Sequence, residues 1–172
     1  MRIAGTMVKS LLIVGGLLSV NCMADDGNGA RLFLADLVGS AVGEHVAGVP
    51  SGGAPWKIAI GEAAVASNGK IEVVIRGLLI TGGGAGNNTV GPVTMVNASL
   101  VCGDVVAATT KAVPLSTAGN ALIQDTVTIP SPCIAPALLI RVAATTTGAV
   151  TGGPFIAVNA IAGTPAQQGN DR

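Results

Sequence analysis

From Arg31 onward apolar side chains recur on every second position, the spacing of half-buried strands rather than of helices. Phe33, Ala35 and Leu37 fall on one side of the first segment, with Leu32, Leu34 and Asp36 on the other. A strand is predicted there, with a short helix as the alternative. Trp56, Ile58 and Ile60 alternate with Lys57 and Ala59, which predicts a second strand whose Trp plugs one end of a core. Between these two, Pro50, Ser51, Gly52, Gly53 and Pro55 make the stretch from Gly39 to Pro55 read as a long surface connection.

Ser67-Asn68-Gly69 is the clearest hairpin signal, because Asn-Gly supplies the positive φ angles of a tight turn. After it Ile71, Val73 and Ile75 point one way while Glu72 and Arg76 point the other, and Leu78 to Ile80 extends the strand past Gly77. Thr81 to Pro92 reads as a Gly-rich loop. In the next strand Val96, Ala98, Leu100 and Cys102 share a face, which turns Cys102 inward. Cys102-Gly103-Asp104 then turns the chain into a strand from Val105 to Val113, and Thr117-Ala118-Gly119-Asn120 makes a further turn. Ala121, Ile123, Val127 and Ile129 follow, with Asp125 interrupting their face as a sheet-edge or base-paired acid. Leu138, Ile140 and Val142 alternate next, and a Thr145 to Pro154 loop leads to a last strand at Phe155 to Ala160.

The sum is an all-β domain, a single antiparallel Greek-key (immunoglobulin-like) β-sandwich of about seven or eight strands over residues 31–161, with a small barrel as the alternative. Composition agrees: 25 glycines and 10% charged residues suit short, tightly turned strands and not charged surface helices.

Ahead of the domain, residues 1–24 read as a secretory signal, with Arg2 and Lys9 flanking the start, an apolar run from Leu11 to Val20 and a small-residue site favouring cleavage after Ala24. About ten apolar residues fall short of the roughly 20 that span a bilayer, so no transmembrane span is expected in the mature form. Lipidation at Cys22 is the competing reading, although Val20 and Asn21 fit a lipoprotein box poorly. Residues 25–30 and 162–172 read as flexible ends, and the Asp25-Asp26-Gly27-Asn28-Gly29 run lacks the later ligands of a calcium loop.

Removing the leader takes two of nine basic residues, leaving seven against nine acids. No basic stripe and no Tyr remain, so nucleic acid is not an expected partner. Removal also discards Cys22 and leaves Cys102 and Cys133 as an even pair in an oxidising compartment, which predicts a structural disulfide between them. Pro130, Pro132 and Pro136 stiffen the segment around Cys133.

Gly52-Gly53-Ala54-Pro55-Trp56 leading to Gly69-Lys70-Ile71 and Arg76-Gly77-Leu78, with Ala98-Ser99-Leu100-Val101-Cys102 and Pro132-Cys133-Ile134-Ala135-Pro136-Ala137, resembles a group of uncharacterised bacterial secreted proteins over about 31–160. That resemblance implies a disulfide-linked β-sandwich without a known activity. Phe33-Leu34-Ala35-Asp36-Leu37-Val38-Gly39 is remotely similar to the start of a CHRD (chordin-type) β-sandwich domain, but the His-containing signature of that family is missing after the Gly-Leu strand. Trp56 precedes both cysteines, whereas true immunoglobulin domains place a core Trp between theirs, so the likeness to that fold is one of architecture.

Candidate chemistry is sparse. His45, the only histidine, sits beside Glu44 in a predicted loop without a nucleophile elbow. Glu62, Glu72, Asp104 and Asp125 are the acids from which a carboxylate-dependent hydrolase would have to draw a pair. Gly82-Gly83-Gly84-Ala85-Gly86 lacks the helix and Gly-Lys-Ser/Thr of a phosphate loop. Asn87-Asn88-Thr89 and Asn97-Ala98-Ser99 have the form of glycosylation sequons. No catalytic, cofactor or metal residues are assigned. The expectation is a secreted or envelope module with a binding or structural role, its partner an envelope or extracellular protein or a glycan. Its contact surface is looked for in the Ala47 to Pro55 and Thr81 to Pro92 loops. A subunit that self-assembles through exposed strand edges is the alternative.

Overall fold

The computed structural model describes residues 29–84, 86–144 and 151–159. Residues 1–24, expected to be a signal segment, with Cys22, residues 25–28 of the polar stretch, Ala85, residues 145–150 of the Thr/Gly loop and the chain from Ala160 through the 162–172 tail lie outside them.

Within the described residues all regular structure is strand: β1 (Arg31–Gly39), β2 (His45–Val46), β3 (Val49–Pro50), β4 (Trp56–Lys57), β5 (Ile60–Ala66), β6 (Lys70–Arg76), β7 (Leu79–Ile80), β8 (Met95–Cys102), β9 (Val105–Thr109), β10 (Val113–Pro114), β11 (Ala121–Thr126), β12 (Ala137–Ala143) and β13 (Gly152–Asn159). No helix among these residues is long and apolar enough to cross a membrane. The ladders are antiparallel, with one isolated parallel bridge between Ser51 and Phe155.

Two layers form. Sheet A runs β11-β6-β5-β1, and sheet B runs β1-β13-β12-β8 with β9 and β10 along the outer side of β8. β1 belongs to both: Arg31 to Asp36 pair with β5, while Leu37 to Gly39 pair with β13. β12 returns past β9, β10 and β11 to lie beside β8, a Greek-key crossing. The architecture is the predicted all-β sandwich, curled because one strand turns the corner between its layers.

Alternation drives the layering. Ile71, Val73, Ile75 and Ile123 of sheet A meet Val96, Leu100, Leu138, Ile140 and Ile156 of sheet B in one buried cluster. Each such side chain contributes about 1.5–3 kcal/mol by leaving water. Phe33 and Leu37 of β1 face this core while Leu32, Leu34 and Asp36 are exposed, so the first segment is a strand and not a helix.

Sheet B is buried on both faces, which simple alternation does not anticipate. Val101, Leu139 and Phe155 form a second cluster on its outer side with Val49. The stretch expected to be a surface connection supplies the cover: β2 and β3 form a small hairpin there, and the Gly52 amide donates to the Phe155 carbonyl at 2.8 Å.

Four strand expectations need correction. Trp56, Ile58 and Ile60 do not share a face: Trp56 is buried in β4, the chain breaks step at Ile58 and Ala59, and β5 restarts with Ile60 exposed and Gly61, Ala63 and Val65 inward. The predicted extension at Leu79–Ile80 is the separate β7, which pairs with β4 rather than continuing β6. Val105 to Val113 is split into β9 and β10 by Thr110, a buried residue whose amide donates to Ala98 O while its hydroxyl accepts from Ala98 N, taking a ladder place with its side chain. The last strand also begins earlier than Phe155, at Gly152, and takes in Pro154 where the register with β12 shifts.

Candidate functional site

Cys102 and Cys133 are joined by a disulfide that ties the end of β8 to the crossover between β11 and β12, and both pack against the main core. Neither is a free thiol.

His45 is exposed on β2, with Nδ1 3.2 Å from the Gly43 carbonyl oxygen. Glu44 turns to the backbone instead, accepting from the Ala41 amide at 2.9 Å. The four acids scatter. Asp104 is exposed in the β8–β9 turn, and Asp125 is half-buried on β11. Glu62 and Glu72 stand on the outward face of sheet A on neighbouring strands, Glu62 opposite Val74 and Glu72 opposite Ala64. Glu62 also lies directly opposite Asp36, an acid that strand spacing alone did not single out. Among the described residues no three of His, Cys, Asp and Glu gather so as to hold a metal ion.

Asp125 is held below its ordinary pKa chiefly by the Lys111 amide, which donates to Oδ2 at 2.8 Å. The Thr126 amide and the Lys111 ammonium, 3.9 Å from Oδ1, act in the same sense against the opposing effect of burial.

The loops expected to form a contact surface are tied to the fold at a few points, and most of the described residues of Thr81 to Pro92 are exposed. Val49 and Gly52 of the Ala47 to Pro55 stretch are buried against sheet B. The Thr81 to Pro92 loop closes back on β7, with the Ile80 amide donating to Thr89 O and the Asn88 amide to Ile80 O, while Val90 enters the core. Of the two sequon asparagines, Asn87 is exposed on this loop and Asn97 is fully buried in β8.

Asn97 lies opposite Arg141 of β12, and neither polar atom of its amide has a protein hydrogen-bond partner. Arg141 is anchored by its own neighbours: Nε donates to Gly153 O at 2.7 Å, Nη2 to Gly152 O, and Nη1 lies 3.5 Å from Ser99 Oγ. Burial lowers its pKa from the ordinary value, but a guanidinium stays charged at neutral pH. A Cβ on Gly152 would fall 2.6 Å from Arg141 Nε, so this corner is built to fasten β13 to β12.

The surface with unspent chemistry is the outward face of sheet A. Register places its side chains in rows across the strands: Arg31, Ala66, Lys70 and Thr126; then Leu34, Ala64, Glu72 and Gln124; then Asp36, Glu62, Val74 and Leu122; and last Ile60 with Arg76. Leu34 is 63% exposed, Leu122 55% and Ile60 47%, on a scaffold whose other face is packed in the core. Lys70 and Glu72 form a 3.2 Å ion pair, and a shallow groove beside them is lined by Gly29, Arg31, Ala64 and Ala66. Cations therefore dominate the row nearest the β5–β6 turn, and anions the row two steps away. Sequence reading identified the outward parity of Leu34, Glu72 and Arg76, but nothing along the chain indicated that β1, β5, β6 and β11 would set them side by side.

No protein-family model, no curated protein and no solved structure matches the chain.

Proposed function

We propose that the protein is an exported, non-catalytic β-sandwich module that works by binding through the outward face of sheet A. One observation carries the reading: Leu34, Ile60 and Leu122 stand exposed on the same face of one sheet, with charges of both signs between and around them. Large apolar side chains exposed on one sheet face and interspersed with charges of both signs fit an interaction surface of mixed chemistry. Export is supported by the leader pattern of residues 1–24 and by the Cys102–Cys133 disulfide, which persists only where thiols are oxidised. The sandwich is immunoglobulin-like in its layers and Greek-key crossing alone, because its disulfide ties a crossover to a strand end.

Hydrolysis is the weaker reading, since Asp125 is committed to backbone amides and Glu72 to Lys70. The test is capture of partners from the native envelope with the mature domain and with its Leu34→Glu, Leu122→Glu double variant as baits. A partner held by the first and lost by the second supports the reading. Partners retained equally by both place binding elsewhere.

A further inference from the structure

We propose that the outward face of sheet A takes a second copy of this chain, in a two-fold dimer that packs the two faces against each other. The inference rests on the reading of that face as the binding surface and names its occupant.

The argument is charge complementarity set by register. A two-fold axis lying along the row of Leu34, Ala64, Glu72 and Gln124 carries each copy's Arg31 and Lys70 row over the other's Asp36 and Glu62 row. The same operation works in both directions, as an isologous interface requires. Two cations then meet two anions twice, with Arg31 over Asp36 and Lys70 within reach of Glu62. Leu34 meets its own counterpart on the axis at the β1 side of the patch, and Leu122 lies over Thr126. Glu72 crosses its counterpart too, and its charge is already matched by Lys70 at 3.2 Å.

Within a single chain the arrangement is unfavourable, because Asp36 and Glu62 are directly opposed like charges. A second copy relieves that repulsion with its own Arg31. The strand edges are a poorer route to assembly: Lys111 and Asp125 stand where the β9–β10 edge approaches β11, and charges at an edge discourage strand addition.

Four strands about 4.8 Å apart and the three rows about 6.8 Å apart that overlap, the Ile60 and Arg76 row falling outside, give roughly 400 Å² per copy and about 800 Å² in all, the size of a weak, transient contact. The dimer is therefore concentration-dependent, and salt that screens the crossing charges weakens it.

Sedimentation equilibrium of the mature, disulfide-closed protein from about 1 to 500 µM tests this, a span that brackets micromolar affinities. The native protein is expected to pass from monomer to dimer, and Leu34→Glu to stay monomeric. Arg31→Asp and Asp36→Arg are each expected to weaken the dimer about ten-fold or more, because every reversal acts twice in a two-fold pair. The Arg31→Asp, Asp36→Arg double variant restores it. Far-ultraviolet circular dichroism of each variant verifies the fold, and these side chains are exposed.

A native protein that remains monomeric throughout overturns the proposal, as does a dimer indifferent to both reversals. If the protein is monomeric while the envelope capture still depends on Leu34 and Leu122, the face binds a foreign partner, and the dimer fails without the reading beneath it. A dimer sensitive to both reversals and rescued by the swap establishes it.

Discussion

The Lys111 amide donates to Asp125 Oδ2 at 2.8 Å, so a single side chain links the edge region of sheet B to the edge strand of sheet A. The carboxylate accepts best when ionised, which is why its pKa lies below the ordinary value. A depressed carboxylate stabilises the fold fully above the ordinary Asp pKa of about 3.9, and that contribution is lost as pH falls through the lower folded value. Urea midpoints of the native protein and Asp125→Asn should differ by a constant amount from about pH 7 down to about pH 4 and converge below it. The constant gap corresponds to about 1 kcal/mol. Parallel acid-side decline in both proteins would remove Asp125 as the cause.

The disulfide closes a loop with a sequence separation of 31 residues. By the chain-entropy account it stabilises the domain by about 3–4 kcal/mol, and the paired Cys102→Ala, Cys133→Ala variant should melt roughly 10–15 °C lower. Calorimetry of the two proteins provides the comparison. A loss of only a degree or two would mean that Pro130, Pro132 and Pro136 alone hold the crossover in place.

Gly69 combines two demands in the β5–β6 turn: a φ of +89° and space, since a Cβ would lie 1.8 Å from the Val127 carbonyl oxygen. Gly43 has a similar φ of +83° with open space around it. Gly69→Ala should therefore cost about 2–3 kcal/mol and Gly43→Ala about 1 kcal/mol. Equal losses in denaturant titrations would show that backbone conformation alone matters at the turn.

Produced through a glycosylating secretory pathway, the folded and disulfide-closed fraction should carry a glycan at Asn87 and none at Asn97. Asn87 is exposed, while Asn97 sits at 0% exposure inside sheet B, where a sugar cannot be housed. Peptide mapping after deglycosylation reads the occupied site directly. Occupancy of Asn97 in native protein would contradict the burial of β8.

How much of this was written in the chain depends on whether one face or two were buried. β6 was legible because Ile71, Val73 and Ile75 alternate cleanly with exposed or half-exposed partners, and Asn68-Gly69 marked its start. β12 was only half legible: Leu138, Leu139 and Ile140 are all buried, and a consecutive apolar run does not say what covers its second face. The cover came from the β2–β3 hairpin, set in a stretch whose proline and glycine content pointed to open loop. Step was lost at Ile58 and Ala59, which turns Gly61 inward, where a Cβ would fall 2.4 Å from Ile58 and 2.7 Å from Leu37; small size was needed there, and alternation registers only polarity. The candidate surface was hidden for a different reason. Leu34 and Leu122 are 88 positions apart, and only the order of strands in sheet A places them on one face, on its two outer strands.

β1 carries a consequence for the timing of folding. Its first half completes sheet A with β5, but its second half waits for β13, where Val38 meets Val158 near the far end of the domain. A chain that emerges N-terminus first, as in synthesis, cannot seal its two layers until β13 has appeared. Closure is then a late event, and a chain halted short of β13 leaves the flank of β12 and the far end of β1 without their partner.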